Sequence, residues 1–571
     1  MRVRLSFFAR RKRYQPVEPD EILIDAANLP QFDTARLEGR IERPISARTY
    51  RNFLLLGSVV AFIAVGQLLN LQIIRFNALS ARAEENRLTH STIMSERGLL
   101  LDRNGVVLAE NAPDPDPGLA ARDYPLGAAA AHVLGYVSYP KRDQNGFWYQ
   151  DQASGIAGLE KILNERLAGV NGITITETDA SGAVVSGSVV REAISGEDIT
   201  TALDAGVQQA LFEAIARNAD LYGWRGGAGV IMDIDTGEII ALASYPSFDP
   251  EVVSAGEPRD AVTSLLTDSR SPFLDRVVAG LYATGSTVKP FVALAALEES
   301  IISPEKKILS TGSISVPNPY NPNTPSVFKD WKAHGWVDMR DALAVSSDVY
   351  FYEVGGGFEG QKGLGIAKIE RYLRLFGFAA PSGISLLGEE IGVIPNPEWK
   401  AANFDGEQWF LGDTYHTSIG QYGFQATILQ LVRAVAAIAN GGTLVTPVME
   451  AGARGARTNL GVQEENLQVI REGMELGVMP GGTVTPLSLA EVSVAAKTGT
   501  AQVGARNEYI NSLVEGFFPA EKPRYAFAVV LERAKTGTPQ NSAALAMRQT
   551  LEWMIAHRPE MVLTPSPGDI Q

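Results

Sequence analysis

The stretch GSTVKPFVALAALEE, residues 285–299, sets a serine and a lysine three positions apart immediately ahead of an apolar run. At that spacing Ser286 and Lys289 stand one helical turn apart on one face, where a desolvated amine is placed to take the serine proton and activate a nucleophile. Free lysine is protonated at pH 7, so the arrangement works only if burial and a second nearby cation lower its pKa. The S-x-x-K spacing is weak by itself and occurs four times here. Ser138–Lys141 encloses Pro140, and the residue before a proline is pushed out of helix. Ser303–Lys306 reads SPEK, an N-cap followed by a first-turn proline, which makes Ser303 structural. Ser326–Lys329 runs into the polar DWKAHG with no apolar helix behind it. Only Ser286 and Lys289 lead into an apolar helix, expected over Pro290 to Glu299.

Two more clusters belong with this pair. VSVAAKTGTAQV, Val492 to Val503, reads as a strand whose Ala and Gly residues let a substrate backbone approach its edge. On it Lys497 supplies the second cation, and Thr498, Gly499 and Thr500 form a hydroxyl-bearing seat for a carboxylate. A second K-T-G, Lys535 to Gly537, follows the last strand with too little chain left to build a sheet around it. Ser346-Ser347-Asp348 opens the apolar segment DALAVSSDVYFYEV, and one helix is expected from Met339 to Tyr352. Serines inside such a helix are often satisfied by backbone carbonyls, but their place between Ser286 and Lys497 favours a site.

Around these clusters GAGVIMDIDTGEIIALASYP, Gly227 to Pro246, is a hairpin about Asp235-Thr236-Gly237. EGFFPAEKPRYAFAVVLE, Glu515 to Glu532, and a closing helix from Ser542 to His557 come late. Strands at both ends of a helical middle give an α+β domain over residues 226–557, an antiparallel sheet flanked by helices and closed by its termini. Upstream, residues 75–225 hold a helix at Ala78 to Arg87 and a hairpin in RGLLLDRNGVVLAENAP. An amphipathic helix follows in GIAGLEKILNERLAG, then strands in ITITETD and ITTALD and a helix at Val207 to Ala219. No reactive constellation occurs there, so an elongated pedestal, a spacer or interaction module, is expected. Residues 558–571 form a tail.

Phe53 to Ile74, FLLLGSVVAFIAVGQLLNLQII, carries no charge and lies between Arg51 and Arg75. It has the length of a membrane-crossing helix and lies too far into the chain for a cleaved signal peptide. Gln67, Asn70 and Gln72 make one half polar, a stripe suited to another membrane helix. The RRKR run Arg10 to Arg13, with Arg36, Arg40, Arg43, Arg48 and Arg51, precedes the span, against Arg75, Arg82 and Arg87 after it. The bias puts residues 1–52 in the cytoplasm as a largely disordered tail and the rest outside.

At 571 residues two or three domains are expected, and hydrophobic content of 45% with charged content of 20% fits globular protein. A net charge of -15 argues against nucleic acid as partner. The absence of cysteine removes thiol nucleophiles, thiolate metal sites and disulfides. Five histidines are present, but no G-x-S-x-G elbow accompanies them.

Taken together, RGLLLDRNGVVLA, VIMDIDTGEIIALASYPSFDP, GLYATGSTVKPF, FKDWKAHGWVDM, SSDVYFYEVG, GDTYHTSIGQYGFQAT and KTGTAQV span nearly everything after the apolar segment. They resemble the class B penicillin-binding proteins, and DWK…HG…VD with Asp348 points to the elongation-type, penicillin-binding protein 2, branch. The set S-x-x-K, S-x-N/D and K-T-G is a recognised signature of these serine enzymes. The resemblance implies a D,D-transpeptidase that cross-links peptidoglycan stem peptides and is acylated by β-lactams. It implies that Ser286 attacks, that Ser346 relays a proton, and that the N–H groups of Ser286 and Thr500 form the oxyanion hole. It further implies a cell inner membrane location with a periplasmic catalytic domain, and a SEDS-type membrane glycosyltransferase and elongation scaffold proteins as partners. No cofactor is expected. Some relatives hold zinc with Asp, His and a Cys in the middle of S-x-D; here that position is Ser347, so the site is expected to be absent although His334 remains. Asp348, if ionised, favours the charged form of Lys289; it is expected to hydrogen-bond substrate or Lys289, with Lys497 offsetting its charge.

The rivals are a division-specific transpeptidase, a D,D-carboxypeptidase, a membrane β-lactam sensor, a β-lactamase, a bifunctional glycosyltransferase and a non-catalytic scaffold. A β-lactamase would need a water-activating group between the second and third motifs, whereas Glu160…Asn164 lies upstream of Ser286. Residues 75–225 lack a paired-acid motif for sugar transfer, and the intact Ser286, Lys289 and Lys497 disfavour a scaffold.

Overall fold

A computed structural model describes residues 46–113, 120–144, 148–178, 183–318, 320–321 and 323–563. The basic run Arg10 to Arg13, with Arg36, Arg40 and Arg43, lies outside the described residues, as do most of the 1–52 tail and 564–571 of the C-terminal tail. Two compact units divide the chain, Met1–Leu88 and Thr89–Gln571.

In the first unit the apolar helix starts earlier than its apolar run. Ser46 caps it, its hydroxyl accepting from the Thr49 N–H at 3.3 Å, and the helix Ala47–Leu69 passes into a π-helical turn at Asn70–Ile74. Those 28 residues are long and apolar enough to cross a membrane. The polar Asn70 sits where the hydrogen-bond ladder widens, as such turns commonly do. A second helix follows at Phe76–Arg87.

In the second unit, residues 89–203 are built from short strands and helix turns. The expected hairpin forms between Leu100–Leu101 and Val107–Pro113. GIAGLEKILNERLAG is not one helix but two short ones, Gly158–Ile162 and Asn164–Leu167, broken at Leu163. Around the break buried charge is satisfied: Glu160 accepts from Arg97 Nε at 2.6 Å and Arg122 Nε at 2.8 Å, while Asn164 Oδ1 accepts from Arg97 and from the Gly155 N–H. ITTALD is a strand only at Ile199–Thr200. Asp204 then caps the helix α1 (Ala205–Tyr222), and its other oxygen accepts from Asn104 Nδ2 and, at 2.7 Å, from Arg558 Nε. One carboxylate thus ties the turn at Asn104, α1 and the last described helical turn, which starts at Arg558, together.

The larger part is a five-stranded antiparallel sheet of β1 (Gly226–Asp233), β2 (Ile239–Tyr245), β3 (Ala495–Val503), β4 (Tyr509–Phe518) and β5 (Tyr525–Lys535), in the order β2-β1-β5-β4-β3. The first hairpin therefore pairs with the last strand, so the sheet is closed by the ends of its domain, and β3 is left as an edge. One face is covered by α1 and the closing helix α6 (Ser542–His557). The other is covered by α4 (Ile428–Ala439) and α5 (Glu464–Val478), with α2 (Lys289–Glu298) packed on α5 and α3 (Asp348–Gly356) on α2. With both faces covered, the strands read as continuous apolar runs rather than alternating ones. α4 is buried along nearly its whole length and carries a capping box, Thr427 and Gln430 each accepting from the other's N–H.

Two local expectations fail. The single helix over Met339 to Tyr352 is split into Met339–Ala344 and α3, with Ser346 between them at φ 59°. Ser303 caps no helix; it opens a turn closed by the Lys306 N–H on its carbonyl at 3.1 Å, and Lys306 Nζ goes to Gln361. SVFK is a strand, Ser326–Lys329, paired with Ser313–Val316.

Candidate active site

Ser286 lies on a 3-10 turn, Gly285–Val288, that runs straight into α2 with Lys289 as its first residue. Gly285 is at φ 54°, and a Cβ there would stand 2.8 Å from the Thr500 carbonyl oxygen. A Cβ on Gly499 would stand 2.4 Å from the Thr284 carbonyl. The two glycines therefore let the serine turn press against edge strand β3, bringing the backbone of Ser286 and Thr500 to one place.

The splitting of the Met339 to Tyr352 segment does the rest. Because Ser346 is in the left-handed region, its hydroxyl and carbonyl both turn toward the lysines, while Ser347 caps α3 by accepting from the Tyr350 N–H at 3.3 Å. Lys289, fully buried, places Nζ 2.6 Å from Asp348 Oδ1, 2.8 Å from the Ser346 carbonyl and 3.3 Å from Ser346 Oγ. Lys497 reaches the same Ser346 Oγ at 2.8 Å and its neighbour's carbonyl, Thr498 O, at 2.9 Å. Burial first, then the charge of Lys289, hold Lys497 well below the ordinary lysine range, with Asp348 and Glu515 opposing. Of the two lysines, Lys289 has a direct carboxylate contact, Asp348, and Lys497 has none. Thr498 Oγ1 donates to or accepts from Thr483 Oγ1 at 3.1 Å.

Of the eight residues singled out from the sequence, Ser286, Ser346, Asp348, Thr498 and Thr500 line one cleft of about 1100 Å³, while Lys289 and Lys497 reach it through Ser346 and Asp348 and Gly499 packs against the Thr284 carbonyl behind the serine turn. Trp331, Tyr352, His416 and Tyr422 supply aromatic wall, and Thr483 polar floor. Trp331, Tyr352, His416 and Tyr422 lie in segments that carry the family resemblance, but no spacing pattern marked them or Thr483 as cleft residues. Asp330 is the other residue whose role the sequence did not expose. Its Oδ2 accepts from Ser310 Oγ, Ser347 Oγ and the Val349 N–H at 3.1, 2.9 and 3.0 Å, holding the start of α3. Burial pushes its pKa up, but the N–H groups of Val349 and Asp348 and the charge of Lys289 together bring it below the usual range.

Asp330, His334 and Ser347 do not fit a zinc ion. His334 Nε2 is 3.4 Å from Asp330 Oδ1, yet the third position offers a neutral hydroxyl that itself donates to Asp330, in place of a thiolate. Among the described residues no group of three or more His, Cys, Asp and Glu could hold a metal ion.

An antiparallel sheet with the serine turn against its edge, and two buried lysines meeting at one serine, define a serine acyltransferase of the penicillin-interacting kind. The family model for the penicillin binding protein transpeptidase domain matches residues 227–552, more than half of the chain, and that for the penicillin-binding protein dimerisation domain matches residues 118–201. The chain belongs to the class B penicillin-binding proteins, in the elongation-type penicillin-binding protein 2 branch. It is 30% identical over 469 residues to the peptidoglycan D,D-transpeptidase MrdA of Salmonella typhimurium, covering 76% of this chain and 72% of that one. The crystal structure of Pseudomonas aeruginosa PBP2 in complex with WCK 5153 is similar at a TM-score of 0.68 and 28% identity, over 84% of this chain and all (100%) of that one. PBP2 of Helicobacter pylori in its complex with MreC is similar at a TM-score of 0.68 and 25% identity, over 82% and 99%.

Proposed function

We propose that this chain is a peptidoglycan D,D-transpeptidase of cell elongation and rod-shape maintenance, working through an acyl-enzyme on Ser286. The observation that carries the reading is the Lys289–Ser346–Lys497 chain, in which one hydroxyl lies within hydrogen-bond reach of both amines. Ser286 Oγ attacks the carbonyl of the penultimate D-alanine as Lys289 takes its proton. The N–H groups of Ser286 and Thr500 stabilise the developing oxyanion. As the peptide C–N bond breaks, Ser346 passes a proton to the departing D-alanine, replenished from the lysines on either side of it. Lys497, Thr498 and Thr500 hold the terminal carboxylate, and Gly499 leaves room for the peptide backbone beside β3. An amine of a second stem peptide then attacks the ester carbonyl, gives up its proton along the same path, and frees Ser286. A β-lactam enters by the first step and stays as the ester.

We further propose residues 1–52 as a cytoplasmic tail, 53–74 as the single inner-membrane span, 75–225 as a periplasmic pedestal, 226–557 as the transpeptidase domain and 558–571 as a tail. The membrane-length helix and the two family matches support that division. The H. pylori relative was solved with MreC, which supports elongation scaffold proteins as partners of this chain, alongside a SEDS-type membrane glycosyltransferase.

The test is to label the purified protein with a fluorescent penicillin and locate the adduct by mass spectrometry. An adduct on Ser286, lost in Ser286→Ala, is expected; labelling unchanged in that variant overturns the reading. Lipid-linked substrate then distinguishes cross-linking from hydrolysis.

A further inference from the structure

Glu515 is an ionisable residue inside the apolar strand β4 that the mechanism above does not use, and it is fully buried. Its register partner on β3 is Lys497, and on β5 Ala528. Directly opposed residues of an antiparallel pair share a face, with Cβ atoms about 4.5–5.5 Å apart, so Glu515 lies behind the lysine on the side away from the cleft. Neither of its carboxyl oxygens has a hydrogen-bond partner. An isolated carboxylate in that place would be prohibitively desolvated.

The other charged groups near this face are engaged elsewhere. Lys289 is taken by Asp348 and Ser346, Arg433 of α4 by the Val445 carbonyl, and Arg471 of α5 by Glu464 and the Ile438 carbonyl. Glu472 of α5 pairs with Arg340, Glu475 lies within the influence of Glu472 and Glu521, and Glu298 of α2 accepts from Gln463 and Asn466. Lys497 alone acts on Glu515: burial drives the carboxyl well above the usual range and Lys497 pulls the other way.

We propose that Glu515 is a positioning residue acting through Lys497: with no direct hydrogen bond between them, its carboxyl and the Lys497 amine titrate as one electrostatically coupled pair that binds one proton in total, so Lys497 becomes the ammonium an anionic peptide terminus needs without net charge being added to the core. In one form the proton is on the carboxyl and both groups are neutral; in the other it is on the amine and the two charges cancel. No other reactant is required. Both forms bind the same number of protons, so across the range between the pair's two macroscopic titrations the charged fraction of Lys497 is set by the ligand, not by pH. The inference rests on the role of Lys497 proposed above.

The test is the pH profile of the acylation rate constant of the full chain with fluorescent penicillin, itself a carboxylate, for wild type, Glu515→Gln and Glu515→Met. Both substitutions remove the carboxyl opposite Lys497 and leave burial and the charge of Lys289 acting on it against Asp348 alone, so it loses its proton at lower pH. The alkaline limb is expected to move toward neutral by about one pH unit, about tenfold slower acylation above the limb. Methionine keeps the length without a polar group, so it carries the test if the glutamine variant fails to fold. A limb that coincides with wild type in either folded variant overturns the proposal. A Ser286 adduct with an unmoved limb removes only Glu515, whereas an adduct elsewhere removes the underlying reading.

Discussion

The Nζ of Lys289 stands 2.6 Å from Oδ1 of Asp348, and its remaining contacts are the carbonyl and hydroxyl of Ser346. All three are oxygens able to accept from the amine. The hydroxyl that links this lysine to a second amine is Ser346 Oγ, which Lys497 also reaches at 2.8 Å. The carboxylate of Asp348 anchors the lysine, while Ser346 connects it to the second amine. The two functions that the S-x-D motif provides are thus divided between its first and last residues, and Ser347 between them caps the helix.

That division makes Ser346→Gly informative. Glycine accepts the φ of 59° without strain, and the cap on α3 belongs to Ser347, so stability should change by less than about 1 kcal/mol. Loss of the hydroxyl disconnects the lysines, and acylation by a fluorescent penicillin, followed by stopped flow, is expected to fall about 10²–10⁴-fold. A variant that acylates at the wild-type rate would remove Ser346 from the proton path.

Asp330 gives a stability prediction with a definite sign. In Asp330→Asn the one amide oxygen can stand in for Oδ2, which keeps Ser310, Ser347 and Val349 but turns the N–H₂ onto the Trp331 N–H that donates to Oδ1 at 2.8 Å, or for Oδ1, which costs all three their acceptor, so in either orientation a donor loses its partner. The expected destabilisation is about 1–3 kcal/mol at pH 7, read from the denaturant midpoint. Since the folded carboxyl titrates below the unfolded one, its contribution is complete above the unfolded pKa of about 3.9 and is lost as pH falls through the folded value. The gap between wild type and variant should therefore close below about pH 4. A chelator should leave both midpoints where they are.

Glu160 mimics part of a deacylation motif in the sequence, yet it holds two buried guanidiniums outside the sheet domain. Glu160→Gln leaves two positive charges buried with no counter-charge, and destabilisation of about 3–5 kcal/mol is expected in the first unfolding transition. The rate at which the penicillin adduct is released from folded variant should match wild type. Faster or slower release would revive a hydrolytic role for this residue.

The sequence disclosed what depends on local spacing and composition. Ser286, Lys289 and Lys497 were separable from their decoys because helix context, proline placement and the chain left over are local properties. The closed antiparallel sheet followed from two β-rich runs at opposite ends of a helical middle. What stayed hidden was set by long-range pairing. The break at Ser346 is invisible to helical periodicity, since it arises from a left-handed residue whose groups are held by Lys289 and Lys497, 57 and 151 positions away. The role of Glu160 stayed hidden in the same way, a carboxylate committed to arginines 63 and 38 positions upstream. Glu515 did leave a trace, one charge within the run SLVEGFF, but its meaning came only with the strand register.

Gly285 is where chain geometry and chemistry meet most directly. An alanine there would adopt a left-handed φ of 54°, a strain of about 1–2 kcal/mol, and its Cβ would stand 2.8 Å from the carbonyl oxygen of Thr500. The neighbouring atoms are backbone, 3.0 Å to the carbonyl carbon and 3.3 Å to the amide nitrogen of Thr500, so no side chain can swing away. Relief requires β3 to move from the serine turn, which separates the two N–H groups proposed to hold the oxyanion. Gly285→Ala is therefore expected to lose about 10²–10³-fold in acylation rate, the scale of one missing oxyanion donor, while still binding in the cleft. Rapid-mixing kinetics distinguishes the two: the loss should lie in the rate at saturating penicillin, not in the concentration giving half of it. A loss confined to that concentration would mean the strand–turn contact shapes the cleft without serving the chemistry.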